Sequence, residues 1–123
     1  MRTALKVLTA TFLALPISAQ AETRLLMAEE QGCVWCERWH EEISEIYPKT
    51  AEGKTAPLLR YDLHNETPEN VTFARRVHFT PTFILVDDGV EVGRIEGYPG
   101  EDFFWGLLTI MLQDAGIPLE TTG

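Results

Sequence analysis

The two cysteines of the chain stand three positions apart, in the segment QGCVWCERWH. Cys33 and Cys36 are the only cysteines among 123 residues, and His40 follows the second one by four positions. Four kinds of site use cysteines at this spacing: a redox-active dithiol, a metal site, a haem attachment site and a structural disulfide. Haem attachment requires histidine directly after the second cysteine, and Glu37 stands there, so the sequence excludes it.

The remaining alternatives differ in how well the spacing suits them. A bridge between Cys33 and Cys36 closes a very short loop. Because such a loop constrains little of the unfolded chain, the spacing disfavours a structural disulfide. A zinc or copper site would use both cysteines and His40, with His64 or His78 completing the set, but the histidines lack regular ligand spacing. His40 is more simply interpreted as a solvent-facing helix residue. We keep a metal-handling module and a binding domain with an inert disulfide as the alternatives to redox chemistry.

The first 21 residues predict export. The first six carry two basic side chains and no acidic one, residues 7–17 are almost wholly apolar, and residues 18–21 end in small residues in an A-x-A arrangement. This pattern is typical of a cleaved signal peptide, and the apolar stretch is too short to span a bilayer. We therefore predict cleavage after Ala21, one domain over 22–123, and a periplasmic location in which paired cysteines commonly form disulfides.

The predicted mature domain is strongly acidic. Removal of the first 21 residues takes away two of ten basic residues and none of nineteen acidic ones, which leaves a net charge of −11. Such a domain repels nucleic acid and anionic membrane surfaces, so neither is predicted as a partner. Its length suits a single domain, and we expect a monomer.

Apolar patterning predicts strands and helices that follow one another along the chain. The predicted strands are 24–28, 57–63, 82–86 and 90–95, the last two forming a hairpin around Gly89. The predicted helices are one that carries the cysteines at its start and ends near Pro48, a short one within 71–77, and a last one from Glu101. Residues 49–56 and 64–70 are predicted as surface connections. The fold class is therefore α/β.

A cysteine pair that opens a helix suits disulfide exchange. Free backbone N–H groups and the helix dipole stabilise a thiolate at the first position, so we expect Cys33 to be the nucleophile. Cys36, one turn further along, would attack the resulting mixed disulfide and release the reduced product. Val34 and Trp35 lie between them and would modulate partner access and redox potential, with Trp35 exposed beside Cys33.

In this order the motifs resemble the thioredoxin family over about residues 24–112. They comprise Cys-x-x-Cys at a helix start, Thr80-Pro81 before the most apolar strand, the Gly89 hairpin and a glycine at position 97. The resemblance implies a minimal thioredoxin fold, in which helices flank a central mixed sheet of about four strands. It also implies that the Cys33–Cys36 disulfide is the redox group, with no further cofactor and no resident metal.

The same resemblance assigns substrate-binding residues. Taken alone, an X–Pro bond is expected to be trans, whereas the resemblance implies that Pro81 is cis and lies beside the cysteines. It further implies that Thr80 offers backbone groups to the substrate, and that the loop at Gly97 and Tyr98 faces the substrate together with Val34 and Trp35.

A narrower resemblance is carried by Arg38-Trp39 after the cysteines and by the run EGYPGEDFFW at 96–105. These residues are similar to the small exported thioredoxin-like proteins of bacterial sulfur-oxidation (Sox) systems, the SoxS type. That implies a periplasmic thiol–disulfide oxidoreductase that reduces a disulfide-bearing protein, the sulfur-carrier protein of the pathway, with electrons from a membrane thiol transporter. A general periplasmic disulfide reductase or isomerase and a copper-handling module are the alternatives.

The chain departs from ordinary thioredoxin at two places. Val34-Trp35 replaces Gly-Pro between the cysteines, and Met27 stands where the preceding strand of thioredoxin carries a buried acid. The absence of both His and Pro between the cysteines favours a reductant. Glu29 and Glu30 are the candidates to replace the acid, and the sequence leaves the choice between them open.

Overall fold

Four strands form one mixed sheet at the centre of the molecule. The computed structural model describes residues 11, 13–15 and 22–120, so the predicted signal peptide lies almost wholly outside the described residues. The strands are β1 (Thr23–Glu29), β2 (Leu58–Asp62), β3 (Thr82–Asp87) and β4 (Val90–Glu96), in the order β2-β1-β3-β4. β1 is parallel to β2, and the other two pairings are antiparallel. The predicted strands and mixed sheet are confirmed.

β1 occupies a central position because both of its faces are apolar. Leu25, Leu26, Met27 and Ala28 are all fully buried, as expected of a strand covered on both sides. Side chains alternate between the two faces of a strand. Leu25 and Met27 therefore belong to the core cluster that contains Cys36, whereas Leu26 and Ala28 belong to the cluster on the opposite face.

The helices that pack on the Cys36 side begin directly after β1. Helix α1 spans Val34–Trp39 and continues as a π-helical segment, His40–Ser44, before a 3-10 turn at Tyr47–Lys49. The predicted single helix ending at Pro48 is thus wrong in its second half, since Pro48 lies inside the 3-10 turn. The final helix, Glu101–Asp114, begins where predicted. No helix among the residues that the structure describes is long and apolar enough to cross a membrane.

Residues 49–56, predicted as a surface connection, contain the short helix α2 (Ala51–Thr55). Thr50 caps it, because its hydroxyl accepts a hydrogen bond from the backbone N–H of Gly53 at 3.0 Å. Gly53 is buried, and a Cβ at that position would stand 1.8 Å from the carbonyl oxygen of Tyr47. The glycine reflects this close backbone approach and does not end the helix. With α2 numbered, the final helix is α3.

The short helix predicted within 71–77 is absent. Thr72 instead forms a parallel bridge with Val90, and the side chain of Arg94 donates hydrogen bonds to the carbonyl oxygens of residues 75 and 76 at 2.8 and 3.2 Å. These backbone groups therefore find partners on β4 rather than within a helix. Apolar side chains of this segment cover the second face of the sheet.

Candidate active site

The two cysteines are joined by a disulfide at the start of α1. The sulfur atoms are 2.12 Å apart and the Cα atoms 5.2 Å apart. Cys33 is the N-cap of the helix, and its sulfur accepts a hydrogen bond from the backbone N–H of Cys36 at 3.2 Å. Cys33 is partly exposed, whereas Cys36 is only 3% exposed. Only the first cysteine is therefore accessible to a partner.

A tight turn brings the chain from β1 to Cys33. Gly32 has a φ of +79°, a conformation that glycine adopts without steric cost. The backbone N–H of Cys33 donates to the carbonyl oxygen of Glu30 at 3.3 Å. The turn thus orients Cys33 as the helix cap, with its sulfur directed at the first free N–H groups of α1.

The floor beneath the cysteines is apolar and aromatic. Met27 is fully buried and shares a core cluster with Cys36 and Trp39. The Trp39 ring packs against Phe83 at 5.3 Å, and Phe83 packs against Phe104 at 4.9 Å, both measured between ring centroids. A thioether therefore occupies the position at which the resemblance expects a buried acid.

Glu29 lies on the same face of β1 as Met27, two residues nearer the cysteines. Its carboxylate pairs with the Nε2 atom of His40 and accepts a hydrogen bond from the Nε atom of Arg60 at 2.6 Å. The expectation that His40 faces solvent is wrong, since its side chain is only 23% exposed. The π-helical segment begins at His40, and this places the imidazole against the end of β1.

Glu30 points towards a different partner, the segment before β3. One carboxylate oxygen accepts a hydrogen bond from the hydroxyl of Thr80 at 2.7 Å, and the other lies 2.8 Å from the Nε2 atom of His64. The hydrogen bonds from Thr80 and His64 hold the pKa of the Glu30 carboxyl below its usual value. Glu29 and Glu30 therefore serve different neighbours, although they are adjacent in the chain.

The Thr80–Pro81 peptide bond is cis. This confirms what the resemblance implied and overturns the trans bond expected from the sequence alone. The backbone N–H of Gly97 donates to the carbonyl oxygen of Pro81 at 2.7 Å. The loop after β4 is thereby attached to the proline segment, at the same end of the sheet as the cysteines.

A hydrogen-bonded chain connects that loop to α1. The hydroxyl of Tyr98 donates to Glu42 at 2.6 Å, and Arg38 donates to the other carboxylate oxygen of Glu42 at 2.9 Å. The Arg38 guanidinium lies 5.8 Å from the centroid of the Trp35 ring, a cation–π contact. Burial and the bond to Glu42 raise the pKa of Tyr98, and the bonds from Tyr98 and Arg38 lower that of Glu42.

Residues 13–111 match the family model described as a thioredoxin-like domain. The chain belongs to the thioredoxin-like family. Its structure is similar to the crystal structure of the periplasmic thioredoxin SoxS from Paracoccus pantotrophus in the reduced form, with 50% sequence identity and a TM-score of 0.75. The match covers 76% of this chain and 99% of that one. No curated protein sequence matches the chain.

The family, the fold and the bonded Cys33–Cys36 pair together identify a thiol–disulfide oxidoreductase. The predicted enzyme class is confirmed. Within the described ranges, no group of three or more histidine, cysteine, aspartate or glutamate side chains is arranged to hold a metal ion.

The thioredoxin-like site gathers the predicted substrate-binding residues at one end of the sheet. Val34 and Trp35 are 68% and 53% exposed, and Phe79, which the sequence interpretation had not singled out, is 58% exposed. Tyr98 is only 6% exposed, and its hydroxyl faces Glu42. A cavity of about 370 Å³ opens beside it; its lining residues are Trp35, Arg38, Glu42, Tyr98, Pro99 and Gly100.

The roles of Arg38 and Glu42 at this thioredoxin-like site, and the pairing of Glu30 with Thr80, were not predicted from the sequence. Arg38 and Glu42 stand at i,i+4 spacing, which is a recognised signal for an ion pair on a helix, but their link to Tyr98 spans 56 residues. Glu30 and Thr80 are 50 residues apart. No local pattern pairs residues at that separation.

Proposed function

We propose that this thioredoxin-like protein is a periplasmic reductant of protein disulfides, and that its substrate is the sulfur-carrier protein of a sulfur-oxidation pathway. The observation that carries the proposal is the 50% identity to a periplasmic thioredoxin, SoxS, over 99% of that chain. The unequal exposure of the two cysteines supports it, because a reductant needs one accessible nucleophile and one protected resolving thiol.

The reaction begins from the dithiol form. The Cys33 thiolate attacks one sulfur of the partner disulfide, forms a mixed disulfide and displaces the other partner sulfur as a thiolate. The Cys36 thiolate then attacks the Cys33 sulfur, which breaks the mixed disulfide and releases the second partner thiol. Two electrons pass to the partner, its two thiolates take up protons, and the Cys33–Cys36 disulfide remains. A thiol transporter in the membrane supplies two electrons to restore the dithiol.

The arrangement at the start of α1 favours the first step. As the N-cap, Cys33 lies at the positive end of the helix dipole, and the Cys36 N–H already donates to its sulfur at 3.2 Å. Both interactions stabilise a thiolate relative to a thiol. The Cys36 sulfur is shielded from solvent in the apolar cluster, so it reacts within the mixed disulfide rather than with a second partner.

Partner trapping tests the proposal. A Cys36→Ser variant, expressed with its own leader in a sulfur-oxidising bacterium, is expected to accumulate a mixed disulfide between Cys33 and the sulfur-carrier protein, because the resolving thiol is absent. The adduct is identified by mass spectrometry after non-reducing electrophoresis. The matched control is Cys33→Ser/Cys36→Ser, which is expected to trap nothing.

Two results would contradict the proposal in different ways. Adducts with many unrelated periplasmic proteins, but without the sulfur carrier, would indicate a general disulfide reductase or isomerase. Absence of any adduct in Cys36→Ser, with an active wild type, would rule out Cys33 as the attacking residue.

A further inference from the structure

We propose that Glu30 is a positioning residue that ties the Thr80–Pro81 segment to the turn in front of Cys33, and so sets the geometry with which a protein disulfide meets the nucleophile. The inference rests on the proposed function, because it concerns how the same site receives a peptide substrate. The carboxylate at position 30 acts through Thr80 and does not itself touch the reacting sulfur.

Glu30 is bonded to both parts of the site at once. Its backbone carbonyl accepts from the N–H of Cys33 at 3.3 Å, and its side chain accepts from the hydroxyl of Thr80 at 2.7 Å. One residue thus bridges two segments that are 50 positions apart in the chain. The bond from Gly97 to the carbonyl of Pro81, at 2.7 Å, extends the connection to the third loop of the site.

The segment that Glu30 holds lies outside the sheet. β3 begins at Thr82, so Thr80 and Pro81 precede the ladder of strand hydrogen bonds. His64 occupies the second carboxylate oxygen at 2.8 Å. Because each oxygen accepts from one donor, the carboxylate has one favoured orientation. The Thr80 hydroxyl is thereby held at a fixed position relative to the turn before Cys33.

The same contacts decide between the two roles open to Glu30. The side chain of Glu30 is 36% exposed. The donors on its oxygens come from Thr80 and His64, and neither residue belongs to the core cluster that contains Met27 and Cys36. Glu30 therefore holds the proline segment and does not stand in for the missing buried acid. Glu29, on the Met27 face of β1 and paired with His40, is the carboxylate on the Cys36 side.

Loss of this positioning role should affect the reduction rates of two kinds of disulfide substrate differently. A peptide substrate must align its backbone with the Thr80–Pro81 segment while its disulfide approaches Cys33, and small displacements of a positioning group cost large factors in rate. A small aromatic disulfide needs only access to the Cys33 sulfur. Loss of the Glu30–Thr80 bond is therefore expected to slow reduction of protein disulfides selectively.

The test compares single-turnover rates of the reduced protein with insulin and with dithiobis-nitrobenzoate. In Glu30→Ala and in Thr80→Val, the insulin rate is expected to fall about tenfold, while the rate with the small disulfide falls less than twofold. The double variant should lose no more than either single one, because both changes remove the same bond. Thr80→Ser keeps the hydroxyl and should recover most of the insulin rate. Glu45→Ala removes an exposed carboxylate directly after the π-helical segment and controls for charge.

Equal loss with both substrates, or no loss with either, would overturn the inference. Amide hydrogen exchange gives a readout that does not depend on activity: exchange across residues 79–82 should accelerate in Glu30→Ala and stay unchanged in Glu45→Ala. Unchanged exchange in Glu30→Ala would also overturn it. A wild type that reduces neither insulin nor the small disulfide would instead count against the proposed function, and the exchange result would still decide the role of Glu30.

Discussion

Gly53 offers a sharp test of how α2 packs against the preceding turn, because helix propensity and tertiary structure make opposite predictions there. Gly53 lies in the interior of α2, and replacing glycine by alanine in a helix normally stabilises it by about 1 kcal/mol. In this protein a Cβ on residue 53 would stand 1.8 Å from the Tyr47 carbonyl oxygen and 2.6 Å from its carbon. We expect Gly53→Ala to destabilise the protein.

The size of the effect follows from what the Tyr47 carbonyl does. To reach even 3.0 Å from a new Cβ, the oxygen must retreat by at least 1.2 Å. That oxygen accepts hydrogen bonds from the N–H of Thr50 at 3.1 Å and from its hydroxyl at 2.7 Å. Losing both costs about 2 kcal/mol, and the forced backbone shift adds about 1–3 kcal/mol. After the propensity gain of about 1 kcal/mol, the net loss is about 2–4 kcal/mol.

Urea denaturation of the oxidised protein measures this change. With a slope of about 1–2 kcal/mol per M, the midpoint should fall by about 2 M. The matched control is Gly106→Ala in α3, where no atom outside the helix backbone lies within 4 Å of the new Cβ. That variant should gain about 0.5–1 kcal/mol. A Gly53→Ala protein as stable as the wild type would refute the reasoning.

Three further predictions concern the site and its surroundings. Met27→Asp places an unpaired carboxyl in a fully buried position and should lower the free energy of unfolding by at least about 3 kcal/mol in urea titration, whereas Met27→Leu should cost less than about 1.5 kcal/mol. Tyr98→Phe removes a donor that lowers the pKa of Glu42. A lowered carboxyl pKa stabilises the fold only while the group is ionised. The loss in free energy of unfolding relative to wild type should therefore be largest at pH 7 and shrink as the pH falls below 4.5. Intact-mass measurement of the exported protein should give Glu22 as the first residue, and retention of the leader would contradict the predicted cleavage.

The features predicted correctly from the sequence are those encoded by short-range patterns. The apolar run 24–28 has no alternation, and it forms a strand buried on both faces. The cysteine pair was predicted to lie at the start of a helix, and Cys33 is the N-cap of α1. The hairpin around Gly89 and the onset of α3 at Glu101 likewise follow from local turn chemistry and charge.

The features that were missed depend on contacts between distant residues. Residues 49–56 were predicted as a surface connection, but they contain a helix in which the missing side chain of Gly53 allows a close approach to Tyr47. The segment 71–77 has enough apolar residues for a helix, yet Arg94 on β4 binds the carbonyl groups of residues 75 and 76, and no helix forms there. His40 was predicted to face solvent, but it begins the π-helical segment and its imidazole pairs with Glu29. No local pattern contains these partners.

The central position of β1 has a consequence for the order in which the protein folds. β1 is the first strand of the described domain, yet it pairs with strands that come much later in the chain. Leu25 of β1 lies opposite Leu58 of β2, and Thr23 of β1 lies opposite Asp87 of β3. A chain that emerges from its N-terminus onward therefore cannot close the sheet until the hairpin has appeared, so folding waits for most of the sequence. The Cys33–Cys36 bridge joins residues only three apart, and its oxidation needs none of that long-range pairing. Acquisition of the disulfide and acquisition of the fold are thus separable events.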